Sequence, residues 1–307
     1  MEITASMVKA LRDRCGAGMM DCKKALVEAN GDADQAMQIL KDKGIAKAEK
    51  KAGRIAADGA VLVSIKGNKG LMLELNCETD FAAKSDGFKS VSKEVLDYFE
   101  NNAKEENTVV SMEDAFYSEE VEKMTKAAVA VIGENIRPRR FVKYECGEKS
   151  LLHSYIHMGG KIGVMLEIEA CCADCANKPE VVEMADGIAM QIASMRPDCI
   201  DEASFPQAKL ESERHAALAQ VMEMGKPQAV AEKIVEGKLK KFIAENTLLE
   251  QQFVMNSDLK IKDYVKETGK KVGCELKVVR FHRFELGEGI EKKVENFADE
   301  VAAQMKK

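Results

Sequence analysis

The sequence predicts an α+β protein made of several units, and three observations carry that prediction. Apolar residues recur at helical spacing as far as Leu40, the period changes to alternation from Gly59, and a short apolar pattern in the alternating part returns later in the chain. Gly70-Leu71-Met72-Leu73-Glu74-Leu75 is matched by Gly163-Val164-Met165-Leu166-Glu167-Ile168. Each copy follows a strand and a Gly turn and precedes a loop and a helix, so two related α+β halves with antiparallel sheets are expected.

Three short helices are expected first. Thr4 and Ser6 can cap a helix carrying Met7, Val8 and Leu11, which ends at Gly16-Ala17-Gly18. Met19, Cys22, Ala25, Leu26 and Ala29 mark a second helix that stops at Asn30-Gly31. Asp32 caps a third with Ala36, Met37, Ile39 and Leu40 inward, and Gly44 is read as its end. Ala46 to Ala57 reads as a linker with helical composition, so residues 1–54 form a small module with its linker.

The alternating segments Val61, Val63, Ile65 and Leu71, Leu73, Leu75 flank Gly67-Asn68-Lys69-Gly70 and predict a hairpin. Helices over about Phe88–Asn101 and Ser118–Val131 and a strand over Arg139–Cys146 complete a first half at 55–147. The second half, 148–204 with 247–284, has a helix over Glu180–Met195 with Ile188, Ile192 and Met195 on one stripe, and a last strand over Cys274–Phe284. Between its parts, at 205–246, two long helical patterns flank Gly225-Lys226-Pro227, where Gly ends one helix and Pro starts the next. They predict an antiparallel helical hairpin whose second arm offers Val230, Ile234, Val235, Leu239 and Phe242 as a seam. Within a C-terminal helical module at 285–307, about Gly287 to Lys307 is expected to form an amphipathic helix with Val294, Phe297, Val301 and Met305 on one face.

The chain has 307 residues, 46% hydrophobic and 32% charged, the balance of a globular protein with a buried core. A net charge of −6 disfavours direct nucleic-acid binding. No apolar run approaches the roughly 20 residues of a membrane span. The start, Met1-Glu2-Ile3-Thr4, lacks the pattern of a signal peptide, so a cytoplasmic location is expected. Nine cysteines without framework spacing read as free thiols.

Few residues point to catalysis. Gly16-Ala17-Gly18 lacks the third Gly of a dinucleotide loop, and Gly160-Lys161 is followed by Ile162 where a phosphate loop needs Ser or Thr. His153, His157, His215 and His282 lie in no metalloprotease or triad context. No enzyme activity and no cofactor are expected. A Cys/His metal site built from His153, His157, Cys171, Cys172 and Cys175 is the competing reading, set aside because no second CxxC pair accompanies the cluster.

One segment departs from ordinary turn composition, Asn76-Cys77-Glu78-Thr79-Asp80-Phe81-Ala82-Ala83-Lys84-Ser85-Asp86-Gly87-Phe88. It sets Phe81 beside the anionic Asp80 directly after a strand. Either Asp80 caps a turn while Phe81 closes the hairpin core, or the pair is a probe that parts side chains in a partner.

Here the chain resembles the bacterial elongation factor Ts family over essentially its whole length. The resemblance is carried by Leu11 to Leu26, by Asn76 to Phe88, by Ile132-Gly133-Glu134-Asn135-Ile136 and by Arg283-Phe284-Glu285-Leu286-Gly287-Glu288-Gly289-Ile290-Glu291-Lys292. Cys15, where Thr is common, and the Cys171–Cys175 loop depart from the family pattern. The resemblance implies a UBA-like N-terminal module, a two-part core, a coiled-coil insertion and a C-terminal helical module. It implies guanine nucleotide exchange on elongation factor Tu, with Asp80 and Phe81 intruding near the Mg²⁺ and phosphate site. It further implies partner contacts from Met20 and Lys23, from Ile132, Gly133 and His157, and from Val254 with Met255 to a more distant partner domain. A doubled complex through core contacts is left open.

Overall fold

The computed structural model describes residues 3–104, 108–112, 117–223 and 228–291, and the expected amphipathic face of the C-terminal tail lies outside them. The chain begins with α1 (Ala5–Cys15), α2 (Met19–Glu28) and α3 (Ala33–Lys51). Thr4 caps α1 by accepting from the Met7 N–H, and Asp32 caps α3 by accepting from the N–H groups of Asp34 and Gln35. Val8, Leu11, Cys22, Ala25, Leu26 and Ala36 make the small shared core. Met19, expected on the inner face of α2, is instead half exposed.

Gly44 does not end α3. The helix runs straight through it to Lys51, because Gly44 faces α6 (Glu119–Ile132), where an added Cβ would stand 2.6 Å from the Ala130 Cβ. The missing side chain is spent on a close helix crossing. Ala48, one turn further on, enters the core of the first half.

That half contains β1 (Asp58–Lys66), β2 (Lys69–Cys77), α4 (Asp80–Lys84), α5 (Asp86–Asn102), the two-residue β3 (Val110–Ser111), then α6 and β4 (Ile136–Glu145). Its antiparallel sheet has the order β1-β2-β4-β3. The second half contains β5 (Ser150–His157), β6 (Ile162–Glu169), α7 (Ala173–Ala176), α8 (Pro179–Met195), β7 (Gln252–Phe253), β8 (Asn256–Lys260), α11 (Ile261–Val272) and β9 (Lys277–Glu285). Its main sheet has the order β5-β6-β9, also antiparallel, with β7 and β8 a separate small hairpin. The fold is α+β. No helix among the described residues is long and apolar enough to cross a membrane.

The repeat extends well beyond its hexapeptide. Equivalent positions keep a spacing of 93 residues, from Gly70 and Gly163 through the caps Thr79 and Cys172 to the helix starts Asp86 and Pro179. Phe88, Val91, Ser92, Val95 and Phe99 line the inner face of α5, and Val181, Met184, Ala185, Ile188 and Ile192 occupy the same positions on α8. Both central strands shift register at the same place, between Glu74 and Leu75 and between Glu167 and Ile168. At each shift a buried glutamate meets arginine from the neighbouring strand. Glu74 accepts from Arg139 at 3.2 Å and from Arg140 at 2.6 Å, and Glu167 pairs with Arg280 at 2.7 Å.

The two sheets pack face to face over Val61, Met72, Val142, Tyr144, Leu152, Met165 and Phe284. Their contact is reciprocal. A Cβ on Gly70 would lie 2.7 Å from the Met165 sulfur, and one on Gly163 would lie 3.2 Å from the Met72 sulfur and 2.4 Å from a Val61 methyl. Helices cover the outer faces, α5 and α6 over the first sheet and α8 and α11 over the second.

Between α8 and β7 the chain leaves as α9 (Gln207–Glu223) and returns as α10 (Gln228–Asn246). Ala217, Val221, Ala231, Val235 and Leu239 are buried between these helices, with Leu210 and Ile234 beside them. Val230 is 45% exposed and stands outside the seam expected to include it. Phe242 packs at the base against Phe205, their ring centroids 5.8 Å apart. The chain re-enters close to where it left, since the Asp198 N–H donates to the Asn246 carbonyl at 2.8 Å.

Candidate functional site

The Asn76–Phe88 segment is not a loose loop. Thr79 caps α4 by accepting from the Ala82 N–H at 3.2 Å, and Ser85 ends that helix and caps α5. Ala82 turns inward while Phe81 is 83% exposed, so Phe81 does not close the hairpin core. Asp80 pairs with Lys84 at 2.6 Å across one helical turn. The Lys84 ammonium beside Asp80 holds its carboxyl below the usual carboxylate range, and Lys161 adds to that pull. The turn therefore presents a bare aromatic ring next to a fixed anion.

The brace behind it comes from the segment after α6. Glu134 accepts from the Thr79 backbone N–H at 2.9 Å and from its hydroxyl at 2.7 Å. Glu78 in return accepts from the Asn135 N–H at 2.7 Å, and the Asn135 amide donates to the carbonyls of Ala52 and Arg54. Gly133 caps α6 in the left-handed conformation, at φ 87°, and its carbonyl accepts from the Lys51 ammonium. Ile132 packs within 3.4 Å of where a Gly87 side chain would begin. Ile132 thus packs at the start of α5 and Gly133 bonds α3, on either side of the segment whose Glu134 braces the Asp80–Phe81 turn. Nothing in the sequence singles out Glu134, Thr79, Glu78 or Asn135, which the fold joins in this brace. The one signal for them is that all four lie inside quoted family motifs, yet only the fold reveals that the two motifs touch.

His157 ends β5, half-buried, with Nδ1 3.0 Å from the Tyr155 hydroxyl and the two rings stacked. It opens the turn that leads to Lys161, whose N–H donates to the His157 carbonyl. The Gly160 carbonyl of that turn accepts from Val61 on β1 at 2.7 Å, so the turn lies against the first half, within electrostatic reach of Asp80. Ile156 and Met158 beside His157 are exposed. On α2, Met20 is 64% exposed and Lys23 faces solvent. The turn leading into α2 meets the end of α6, where a Gly16 Cβ would stand 3.3 Å from a Val131 methyl.

Asp80, Phe81, Ile132, Gly133 and the His157–Lys161 turn are therefore linked in one neighbourhood, with the α1–α2 turn against the end of α6. Val254 and Met255 are carried elsewhere. They form the exposed tip of the β7–β8 hairpin, which Phe253 seats on α8 near Gly187 and which a Val254 N–H bond to Gln191 at 2.7 Å anchors.

The thiol cluster also differs from its expected form. Cys171, Cys172 and Cys175 bring their sulfurs within 4.8 Å of one another without either histidine. His153 instead has Nε2 3.3 Å from Asp186. His215 is exposed on α9, and His282 is bonded through Nδ1 to the Tyr144 hydroxyl at 2.6 Å.

A family profile described as Elongation factor TS matches residues 78–288, a span that starts at the brace and ends beyond β9. The chain belongs to the elongation factor Ts family. It is 46% identical to Elongation factor Ts of a Nitratiruptor species, over the full length of both chains. It is 44% identical to Elongation factor Ts of Bdellovibrio bacteriovorus over 100% of this chain and 99% of that protein. With Elongation factor Ts of Clostridium tetani it shares 44% identity over 99% of each chain. Membership makes it a translation elongation factor, and the braced Asp80–Phe81 turn lies within the matched span.

Proposed function

We propose that this chain is a guanine nucleotide exchange factor for elongation factor Tu, and that it acts by binding the GDP complex and not by chemistry of its own. The observation that carries this reading is Phe81, 83% exposed beside Asp80 on a turn that Glu134 and Thr79 hold in place. A large aromatic side chain so exposed contributes little to its own core, and its fixed position suits insertion into another protein.

A GTPase that holds nucleotide at nanomolar affinity stores about 12 kcal/mol in that contact. Each tenfold acceleration of release needs about 1.4 kcal/mol off the barrier. Phe81 would part packed side chains near the Mg²⁺ and phosphate site while Asp80 competes there for cations and donors. Linkage makes the effect mutual, so nucleotide, GDP or GTP, weakens the factor as much as the factor weakens nucleotide. The ternary state is transient, and GTP refills the site.

Met20, Lys23 and His157 would add grip on the nucleotide domain, with Ile132 and Gly133 supporting it. Val254 and Met255, on the other half, would meet a second domain of the partner. In this reading residues 1–54 are a UBA-like module with its linker, 205–246 is a projecting coiled coil and 285–307 is a further contact module. The protein works in the cytoplasm without binding nucleic acid directly. The test is stopped-flow release of fluorescent GDP from elongation factor Tu. Release should accelerate with added chain and saturate, and release no faster than in buffer refutes the assignment.

A further inference from the structure

Cys274, on the turn between α11 and β9, joins the thiol group at the end of β6. Its sulfur accepts from the Cys171 backbone N–H at 2.9 Å, beside the group of three whose sulfurs all lie within 4.8 Å of one another, and a small closure of the turn would bring it in as the fourth. We infer that Cys171, Cys172, Cys175 and Cys274 form a zinc-binding site in which all four ligands are thiolates.

The spacing of the three clustered sulfurs suits the ion. Tetrahedral zinc about 2.3 Å from each sulfur sets sulfur–sulfur edges of about 3.8 Å. Cys171 and Cys175 already stand 3.7 Å apart. Two sulfurs are oriented by backbone donors, Cys274 by the Cys171 N–H and Cys172 by the Cys175 N–H at 3.3 Å. Such bonds hold a ligand in place and favour the thiolate. An all-sulfur donor set selects a soft or borderline ion over magnesium or calcium. The graded burial gives both entry and a floor, since Cys171 is exposed, Cys172 and Cys175 half-buried and Cys274 buried. Four thiolates around Zn²⁺ leave two negative charges. The Lys178 ammonium, bonded to the Val272 carbonyl at 2.8 Å, brings a positive charge to the turn that bears Cys274.

Binding releases the four thiol protons to solvent, so affinity falls as the pH is lowered. The ion would tie the α7 turn to the start of β9, two segments adjacent in space and far apart in sequence.

The experiment titrates the reduced full chain with Co²⁺, a spectroscopic stand-in for zinc. One equivalent should produce thiolate-to-cobalt charge-transfer bands and the visible bands of a tetrahedral ion, and Zn²⁺ should abolish both. Cys172→Ser retains a side chain able to cap α7, so the turn should stay folded. It should lose about a quarter of the charge-transfer intensity, since one of four ligands is gone, and bind cobalt at least about tenfold more weakly. Cys15→Ser, in the N-terminal helices, should change neither property. Absence of tetrahedral bands in the reduced chain overturns the inference, as does a Cys172→Ser spectrum identical to that of the unsubstituted protein. A Cys171–Cys175 disulfide that yields no cobalt site after reduction overturns it too, and identifies the pair as redox-active thiols.

Discussion

Replacing Phe81 with alanine separates the ring proposed to intrude from everything that holds the chain together. Because Phe81 is 83% exposed, its loss should change folding stability by no more than about 0.5 kcal/mol. Its effect on the partner should be far larger. A phenylalanine side chain offers roughly 200 Å² of surface, and at roughly 25 cal/mol per Å² the exposed share is worth about 4 kcal/mol when fully seated. The alanine Cβ retains part of that, leaving about 3 kcal/mol, or about 100-fold in catalysed release if the ring is seated only as nucleotide leaves. Stopped-flow release of fluorescent GDP at saturating factor measures that rate directly, with circular dichroism reporting the fold. If the folded variant releases GDP as fast as the parent chain, the ring is not the intruding element. A loss confined to affinity, with the saturated rate unchanged, would make Phe81 an ordinary contact. Asp80→Ala should slow release in the same direction, and the double variant should lose less than the sum if the two residues act as a unit.

Glu134→Ala should loosen the turn without touching the partner. Two bonds to Thr79 disappear, and at this exposed site their loss should cost about 1–2 kcal/mol and raise amide exchange at Ala82; unchanged protection there refutes the brace. Glu74→Ala removes the buried carboxylate that Arg139, Arg140 and the Gly287 N–H share, leaving the arginines their bonds to Glu285 and Glu288, and should cost about 3 kcal/mol in urea unfolding; a loss under about 1 kcal/mol would show that the carboxylate is replaceable. Burial, reinforced by the Arg280 charge, lowers the proton affinity of His282 below its ordinary value of 6.5. The unfolded chain therefore binds that proton first on acidification, so this contribution to stability is full above about pH 6.5 and is lost as pH falls toward the folded value. His282→Gln should flatten that part of the stability–pH curve, and an unaltered slope would exclude the histidine as its source.

Local chemistry was legible where it acts over a few residues. Thr4, Asp32 and Gly16 marked helix ends because capping depends on adjacent backbone, and the Leu71–Leu75 alternation marked a strand whose faces both became buried. Positions whose meaning depends on a distant neighbour were misread. Gly44 looked like a helix stop until α6 supplied the close crossing. Val230 and Met195 match a helical period, yet both are about half exposed, Met195 as the last residue of α8 and Val230 beside the fully buried Ala231. The α4 helix spans five residues, too few to show any period, so its sequence reads as loop. The Asp80–Phe81 pair stood out as an odd neighbour combination, whereas its support by Glu134 crosses 55 residues and left no local trace.

The 93-residue correspondence also pairs two places of very different chemistry. The turn that displays Asp80 and Phe81 has as its counterpart the turn carrying Ala173 and Asp174, with Cys172 capping where Thr79 does and Cys175 donating where Ala82 does. Because capping, strand shift and helix start are common to both copies, the tip residues are free to diverge without disturbing the frame beneath them. One copy exposes an aromatic ring beside a carboxylate, the other clusters three thiols. The chain thus contains its own natural experiment in tip replacement. Transplanting Ala173-Asp174 onto positions 80 and 81 asks of the scaffold only what it already supports 93 residues later.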